Sequence, residues 1–585
     1  MSRNYDNFAD LITFSRASQS TVVDSDGTLK YAAHNLFTYS EDLSNWSSFN
    51  ASTISSNTVV APDGTLTADT LIEDGTSSNH HIKNNFTTED GVTYTYSVYV
   101  KAQSSRNVTL YVYQGGSPFT TIARADLNFS NGTLQNTTGT TSVTALDNDW
   151  YFIEVSGNAI GTNTQFRIHL LDGFTVSYQG NGTSGVYVWG AHVYRSDKPM
   201  QNNPAQSDPN LATYVPTTDA AVYQPRIDFD AVTGDRKGLL IEEARTNELT
   251  YSEDFSESIW SLGNSVLTSS QSSPDGTLSA TKLTDDASAG TGNVDVLEVG
   301  FTLDADTAYT WSCFAKADQS DFAVLLVNGL STPSGSNRSF FDLSTGTVGT
   351  NDSDFTSSIT DFGNGWYRIA VTFTPSGADL VGNLGIQLSN ADGVANVTLD
   401  GSNSIFIYGA QLEEGSFPTS YIPTSGSTVT RSADVASIAT SAFGFNEDEG
   451  TLFTEFVAVG SSGVTFPVIT AINDGTNRIG HIADTSDDIR MYVYDGSAVV
   501  NSDLEQDVYT ATTFNKLSLG YQENNTSGSS NGNTVVSDTS CTIPTGLSTL
   551  EIGSFAGTGF ANGHYRKLQY FPRRLSDTEL QEITS

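Results

Sequence analysis

One short segment occurs twice. Phe37–Trp46 reads FTYSEDLSNW and Leu249–Trp260 reads LTYSEDFSESIW, with Tyr39 and Tyr251 separated by 212 residues. Self-similarity at a fixed spacing requires one supersecondary unit to be built twice, so it constrains the fold more than composition does. The repeat extends well beyond this opening motif. Pro62-Asp63-Gly64-Thr65-Leu66 returns at the same spacing as Pro274-Asp275-Gly276-Thr277-Leu278, a turn with Pro and Gly in favourable places. The run Val92–Ala102 returns as Tyr309–Ala317, and Tyr214-Val215-Pro216-Thr217 returns as Tyr421-Ile422-Pro423-Thr424. The spacing drifts by only a few residues, which places the insertions in loops.

Within each copy the elements read as strands. Tyr94, Tyr96, Val98 and Val100 alternate with Thr95, Ser97, Tyr99 and Lys101, the period of a half-buried antiparallel strand. Further β-branched and aromatic runs follow, separated by Gly, Asn, Asp and Ser turns. About eight short strands per copy predict an antiparallel sandwich of jelly-roll type. The predicted fold class is all-β: three tandem β-sandwich modules, the first two an internal repeat, and a short C-terminal helix. The expected boundaries are a leader over 1–34, sandwiches over 35–216 and 247–424, and a third sandwich of unrelated sequence over 443–585. A seam (217–246) and a linker (425–442) join them. The leader is too short to bury its own core and must pack on something else. The helix is predicted from Ser576, with Glu579 three residues on completing a capping box.

The net charge of −40, from 66 acidic and 26 basic residues, repels phosphate backbones and anionic headgroups. Nucleic acid and membrane are therefore poor partners, and solubility or divalent-cation binding are the readings left. Basic residues crowd the seam (Arg226, Arg236, Lys237, Arg245) and the C-terminus (Arg566, Lys567, Arg573, Arg574); in so acidic a chain, the short leader, the seam or both are expected to contact other subunits. The two cysteines lie in different modules; Cys313 stands where the first copy has Val98 and reads as a small buried hydrophobe. The N-terminus has no apolar signal core and no run long enough to span a bilayer, so synthesis in a cytoplasm without secretion is expected. His-Glu-x-x-His, phosphate-loop and Gly-x-Ser-x-Gly patterns are absent, and no catalytic residues are predicted. Adjacent carboxylates are common in so acidic a chain and do not by themselves make a glycosidase pair.

The tail Gly563–Glu579, GHYRKLQYFPRRLSDTE, resembles the last strand and helix of laminin-G/concanavalin-like sandwiches. The duplicated modules resemble the carbohydrate-binding-module-like jelly rolls of bacteriophage structural proteins, through Asn35–Trp46, Tyr408–Gly415 and Tyr421–Thr424. Leu11–Ser18 and Arg226–Asn247 also resemble elements of such proteins, where they lie close together; here the first module separates them, as if inserted. The resemblance implies a virion protein on tail or capsid, made in the host cytoplasm. It would be a tail fibre or receptor-binding adhesin that recognises host surface polysaccharide without cleaving it. A capsid fibre, spike or decoration protein is the alternative, and a polysaccharide depolymerase a second. Other virion proteins and further copies of the chain, a trimer by analogy, are the implied partners. Calcium is the one cofactor implied, tying the first loop of such a module to its last strand, with Glu41, Asp42, Glu253, Asp254 and Glu414 as candidate ligands; solvated surface charge is the alternative.

Tryptophans shared by the two copies, Trp46 with Trp260 and Trp150 with Trp366, read as core. Residues particular to one copy are the better glycan-binding candidates, because exposed rings stack on sugar C–H faces while amides and guanidinium groups read hydroxyls. These are Tyr111, Tyr113, Arg167, His169 and Trp189 in the first module, and Gln387, which replaces His169, in the second. Ordinary core or surface roles are the alternative for each.

Overall fold

The alternating run of the first copy becomes the strand Thr93–Ala102, paired with Trp150–Asn158 on one side and Gly185–Arg195 on the other. Tyr94, Tyr96, Val98 and Val100 all enter the sandwich core, as their period requires. The computed structural model describes residues 11–49, 52–115, 119–333, 337–377, 380–459, 467–483, 488–496, 502–508 and 513–585. Two compact units result, one of residues 31–224 and one of residues up to 30 together with 225–585.

The unit 31–224 is one sandwich of two six-stranded antiparallel sheets. The first runs Thr53–Val59, Ala68–Ile72, Gly185–Arg195, Thr93–Ala102, Trp150–Asn158, Thr140–Ala145; the second runs Ser47–Phe49, His81–Thr87, Asn163–Leu171, Asn107–Gln114, Thr120–Asn128, Thr133–Thr138. The second copy has the same strand order in both sheets, with Ser404–Glu414 in the place of Gly185–Arg195 and Val381–Ser389 in the place of Asn163–Leu171. Even the irregularities repeat. Thr93–Ala102 shifts register between Ser97 and Tyr99, and Tyr309–Ala317 between Ser312 and Phe314. At each bulge the partner strand carries a glycine at positive φ, Gly190 and Gly409, whose added Cβ would lie 2.9 Å from the Tyr99 or Phe314 ring.

The opening and closing motifs meet in the same way in both copies. Asn35 donates to the carbonyls of Ala191 and Val215 and accepts from the amides of Phe37 and Val193. Asn247 does the same with Ala410, Ile422, Leu249 and Leu412. Both are fully buried, so one amide satisfies four backbone groups where the chain enters and leaves the sandwich. Next to it, the closing Tyr214 bonds Ser40 and Glu41, and Tyr421 bonds Ser252 and Glu253. The recurring Tyr-Ser-Glu motif is therefore a clasp for the closing strand.

The third sandwich gives the segments read as leader, seam and linker a further role. Thr13–Ser15 is the edge strand of a seven-stranded sheet, paired with Val435–Ala439 from the linker. Arg226–Phe229 and Arg236–Ile241 of the seam join the opposite seven-stranded sheet, where Arg236–Ile241 pairs with Gly563–Phe571. Leu239 and Ile241 lie in the core with Leu452, Met491 and Leu519, and Phe14 packs against it. The chain thus begins the third sandwich, leaves for the first jelly roll, returns, leaves for the second, and returns to finish. The insertion suggested by the separated segments is seen in this connectivity. Residues 1–10 lie outside the described part. The helix is Asp577–Thr584, with the Ser576–Glu579 capping box formed and Leu580 buried.

Where the three segments converge, five charged side chains are buried together. Arg226 bonds Glu242 at 2.6 Å and also Asp434; Arg16 bonds Asp434 at 2.8 Å; Arg431 lies 3.6 Å from Glu242. All five are at or near zero side-chain exposure. Burial alone would raise the Glu242 carboxyl, but Arg431 and Arg226 outweigh it and hold the carboxyl far below the usual range. Three of the four basic residues of the seam are engaged within the chain, Arg226 here, Lys237 with Asp230, and Arg245 with Glu243, while Arg236 is exposed. Among the described residues no helix is long and apolar enough to cross a membrane.

Candidate functional site

In the second sheet of the first jelly roll, alternation divides each strand into two faces. Val108, Leu110 and Val112 face the core, as do Phe166, Ile168 and Leu170. The intervening residues, Tyr111 and Tyr113 with Arg167 and His169, therefore share the outer face. Cross-strand register pairs Tyr111 with Arg167 and with Arg124, and pairs His169 with His81. The sequence reading singled out Tyr111, Tyr113, Arg167 and His169, and the fold brings these four together.

Their rings form a continuous row. Tyr113 stacks on Tyr111 at 5.0 Å and 5°, His169 meets Tyr111 edge-on at 5.3 Å, and His81 stacks on His169 at 4.2 Å. Two guanidinium groups lie over this row, Arg124 at 4.4 Å from the Tyr111 ring and Arg167 at 4.6 Å from the Tyr113 ring. Arg124 is held by both oxygens of Asp126, which also accepts from Asn136; Arg167 is held by the Gln165 amide oxygen. Phe119 extends the row 6.0 Å beyond Tyr113 and is 50% exposed, so the row opens to solvent at that end.

The buried end of the row is uncharged. Burial first, then His81, Arg167 and Arg124, push the His169 imidazole well below its ordinary value. Burial, Arg167 and Lys83 push His81 down to about 3. Neither ring nitrogen of His169 has a hydrogen-bond partner among the described residues. Tyr111 is 8%, His81 2% and His169 1% exposed, so the part of the face open to solvent is Tyr113 and Phe119, with the Arg124 and Arg167 cations beside them. That set can stack on an apolar ring face and donate hydrogen bonds, and no nucleophile–base pair stands among its described residues.

His81, Arg124, Asp126 and Phe119 were not singled out from the sequence. Period-two alternation around Ile82 and Ala125 would have put the first three on this face, but pairing with Tyr111 and His169 is a matter of register. Trp189 lies elsewhere. It is 1% exposed on the opposite sheet, where it packs with Tyr99, Trp150 and Tyr214 and donates to Thr67. All six tryptophans are buried, so none is an exposed platform. Gln387 is fully buried, donates to the Ala395 carbonyl and accepts from Arg338. By register, the second copy has Leu326 where the first has Tyr111, Asn328 for Tyr113, Gly385 for Arg167 and Asp295 for His81. The ring row belongs to the first copy alone.

The five carboxylates considered for calcium have partners of their own or stand apart. Glu41 accepts from Tyr214, and Glu253 from Tyr408 and Tyr421. Asp42 accepts from Ser44 and Asn45, and Asp254 from Ser256. Glu414 lines a cleft of about 640 Å³ with Glu248 and Arg245. Among the described residues no three His, Cys, Asp or Glu side chains converge as a metal site.

No protein-family model and no curated protein sequence matches the chain. Among solved structures it is similar to the tandem CBM22 domains of Paenibacillus barcinonensis Xyn10C, at 10% identity over 65% of this chain and 98% of that one, with a TM-score of 0.20. It is also similar to domains LG4-5 of the mouse laminin alpha1 chain (10%, 60% and 95%, 0.18) and to Trypanosoma rangeli sialidase (9%, 98% and 98%, 0.22). Likeness at this level carries no functional argument, and the reading below rests on the side chains of the ring row.

Proposed function

We propose that the chain is a bacteriophage virion surface protein, a tail fibre or receptor-binding adhesin, that holds host surface polysaccharide on the ring row without cleaving it. The observation that carries the binding reading is the Tyr113–Tyr111–His169–His81 row with Arg124 and Arg167 over it, present in one copy of a duplicated fold and replaced in the other. Rings of this kind stack on the C–H faces of pyranoses, and the guanidinium and amide groups beside them match hydroxyls. The virion assignment is supported by the resemblance of the duplicated modules and of the displaced leader and seam to phage structural proteins. Weak binding per site, about millimolar to micromolar, gains avidity when the chain assembles with copies of itself, a trimer by this reading, on a particle. A glycan array with purified protein, run beside a reducing-end assay on host polysaccharide, tests this. Binding without new reducing ends supports the adhesin, and new reducing ends make it a depolymerase. Absence of binding, with the protein imaged on the capsid, leaves a structural capsid role.

A further inference from the structure

The outer face of the other end of the chain carries a second arrangement of rings and cations. In the third sandwich, Arg478 and Tyr494 are cross-strand partners, and Tyr492 and Arg490 lie on the same face of that strand, two and four residues before Tyr494. With Phe555 and Asp503 they line a cavity of about 390 Å³. The Arg478 guanidinium is walled by three rings, 4.6 Å from Phe555, 5.0 Å from Tyr494 and 5.5 Å from Tyr492. Its Nε is buried without a hydrogen-bond partner. The two arginines of the cavity differ in one respect. Arg490 is neutralised by Asp503 at 2.8 Å and by Glu505 at 3.4 Å, while Arg478 has no carboxylate partner among the described residues.

We propose that this cavity is a separate binding site for a carboxylate-bearing sugar residue, with Arg478 as its anchor. A guanidinium presents paired N–H groups in a plane that matches a carboxylate, and its pairing is worth most where rings exclude water. One unpaired guanidinium balances one charge, which suits a carboxylate better than a phosphate ester carrying roughly 1.5 to 2. Tyr494 and Phe555 provide flat apolar surface for the sugar ring that bears the acid. An unpaired cation among rings runs against the field of a chain of net charge −40, so the site selects by short-range pairing and not by long-range attraction. The site lies in a different sandwich from the Tyr113 row and does not depend on that reading.

The test is calorimetric titration of the full chain with tri-galacturonate and with the same trisaccharide after carboxyl reduction. The expected result is binding of the acid form only, weakened more than about tenfold by Arg478→Gln and less by Arg478→Lys. No binding of the acid form, equal binding of the reduced form, or preference for a sulfated trisaccharide overturns the proposal. Loss in Tyr113→Ala but not in Arg478→Gln assigns acidic glycans to the other row and also overturns it. Should Arg478→Gln fail to fold, Phe555→Ala must weaken binding, and an unchanged affinity overturns the proposal.

Discussion

Replacing Glu242 by Gln tests the nested third sandwich. The substitution keeps shape and one acceptor for the Ser420 amide, which Glu242 now binds at 2.9 Å. It removes the charge that Arg226 and Arg431 share, leaving Arg16, Arg226 and Arg431 with Asp434 alone. Removing one partner of a buried ionic group costs about 3–5 kcal/mol, because the remaining charge stays desolvated. For a cooperative unit of this size that lowers Tm by roughly 6–20 °C. Lys237→Gln is the control: it breaks an ion pair of 3.5 Å in the same seam whose side chains are about a third exposed, and costs no more than about 1 kcal/mol. Scanning calorimetry at neutral pH compares the two. The Glu242 carboxyl is depressed in the folded chain, so its contribution is present above the unfolded value of 4.5 and is lost as pH falls through the folded value. The gap between wild type and variant must therefore narrow as pH falls below 4.5. A Glu242→Gln chain that melts with Lys237→Gln would refute the idea that this cluster locks leader, seam and linker together.

Tyr113→Ala removes a ring stacked at 5.0 Å and should weaken glycan binding roughly five- to thirtyfold on the array, whereas Asn328→Ala in the equivalent position of the second copy should leave it unchanged. Asn35→Ala and Asn247→Ala each strand four buried backbone groups and should cost about 3 kcal/mol or more of the stability of their own sandwich, read by urea titration. His481 and His81, pushed down to about 3, and His192, pushed down to about 4, are neutral when folded but protonate when unfolded. Stability should thus fall as pH drops from about 6.5 towards 3, by about 1.4 kcal/mol per pH unit for each histidine, and His481→Gln should remove one such contribution. Melting should be unchanged by calcium or chelator if Glu41, Asp42, Glu253 and Asp254 serve only their hydroxyl and amide partners; a rise of several degrees with calcium would restore them as ligands.

The duplication was legible in the sequence because it is a matter of order and period. Alternation determined which of Tyr94–Val100 enter the core, and the matched Tyr-Ser-Glu and Tyr-x-Pro-Thr motifs marked where each sandwich opens and closes. The same alternation set Arg167 and His169 on one face. What it could not determine was register, since a strand's faces are local but its neighbours are not. That His81 and Arg124 complete the ring row, that Trp189 is buried under Tyr214, and that Gln387 is spent on Ala395 were decided by pairing between segments tens of residues apart. The third sandwich is the extreme case. Thr13–Ser15 and Val435–Ala439 are ordinary short strands until they are placed edge to edge, and Arg16 and Asp434, 418 residues apart, become a pair only in the fold. Local sequence carries secondary structure and facing. Which faces meet across two inserted modules depends on long-range burial, and only the tertiary structure decides it.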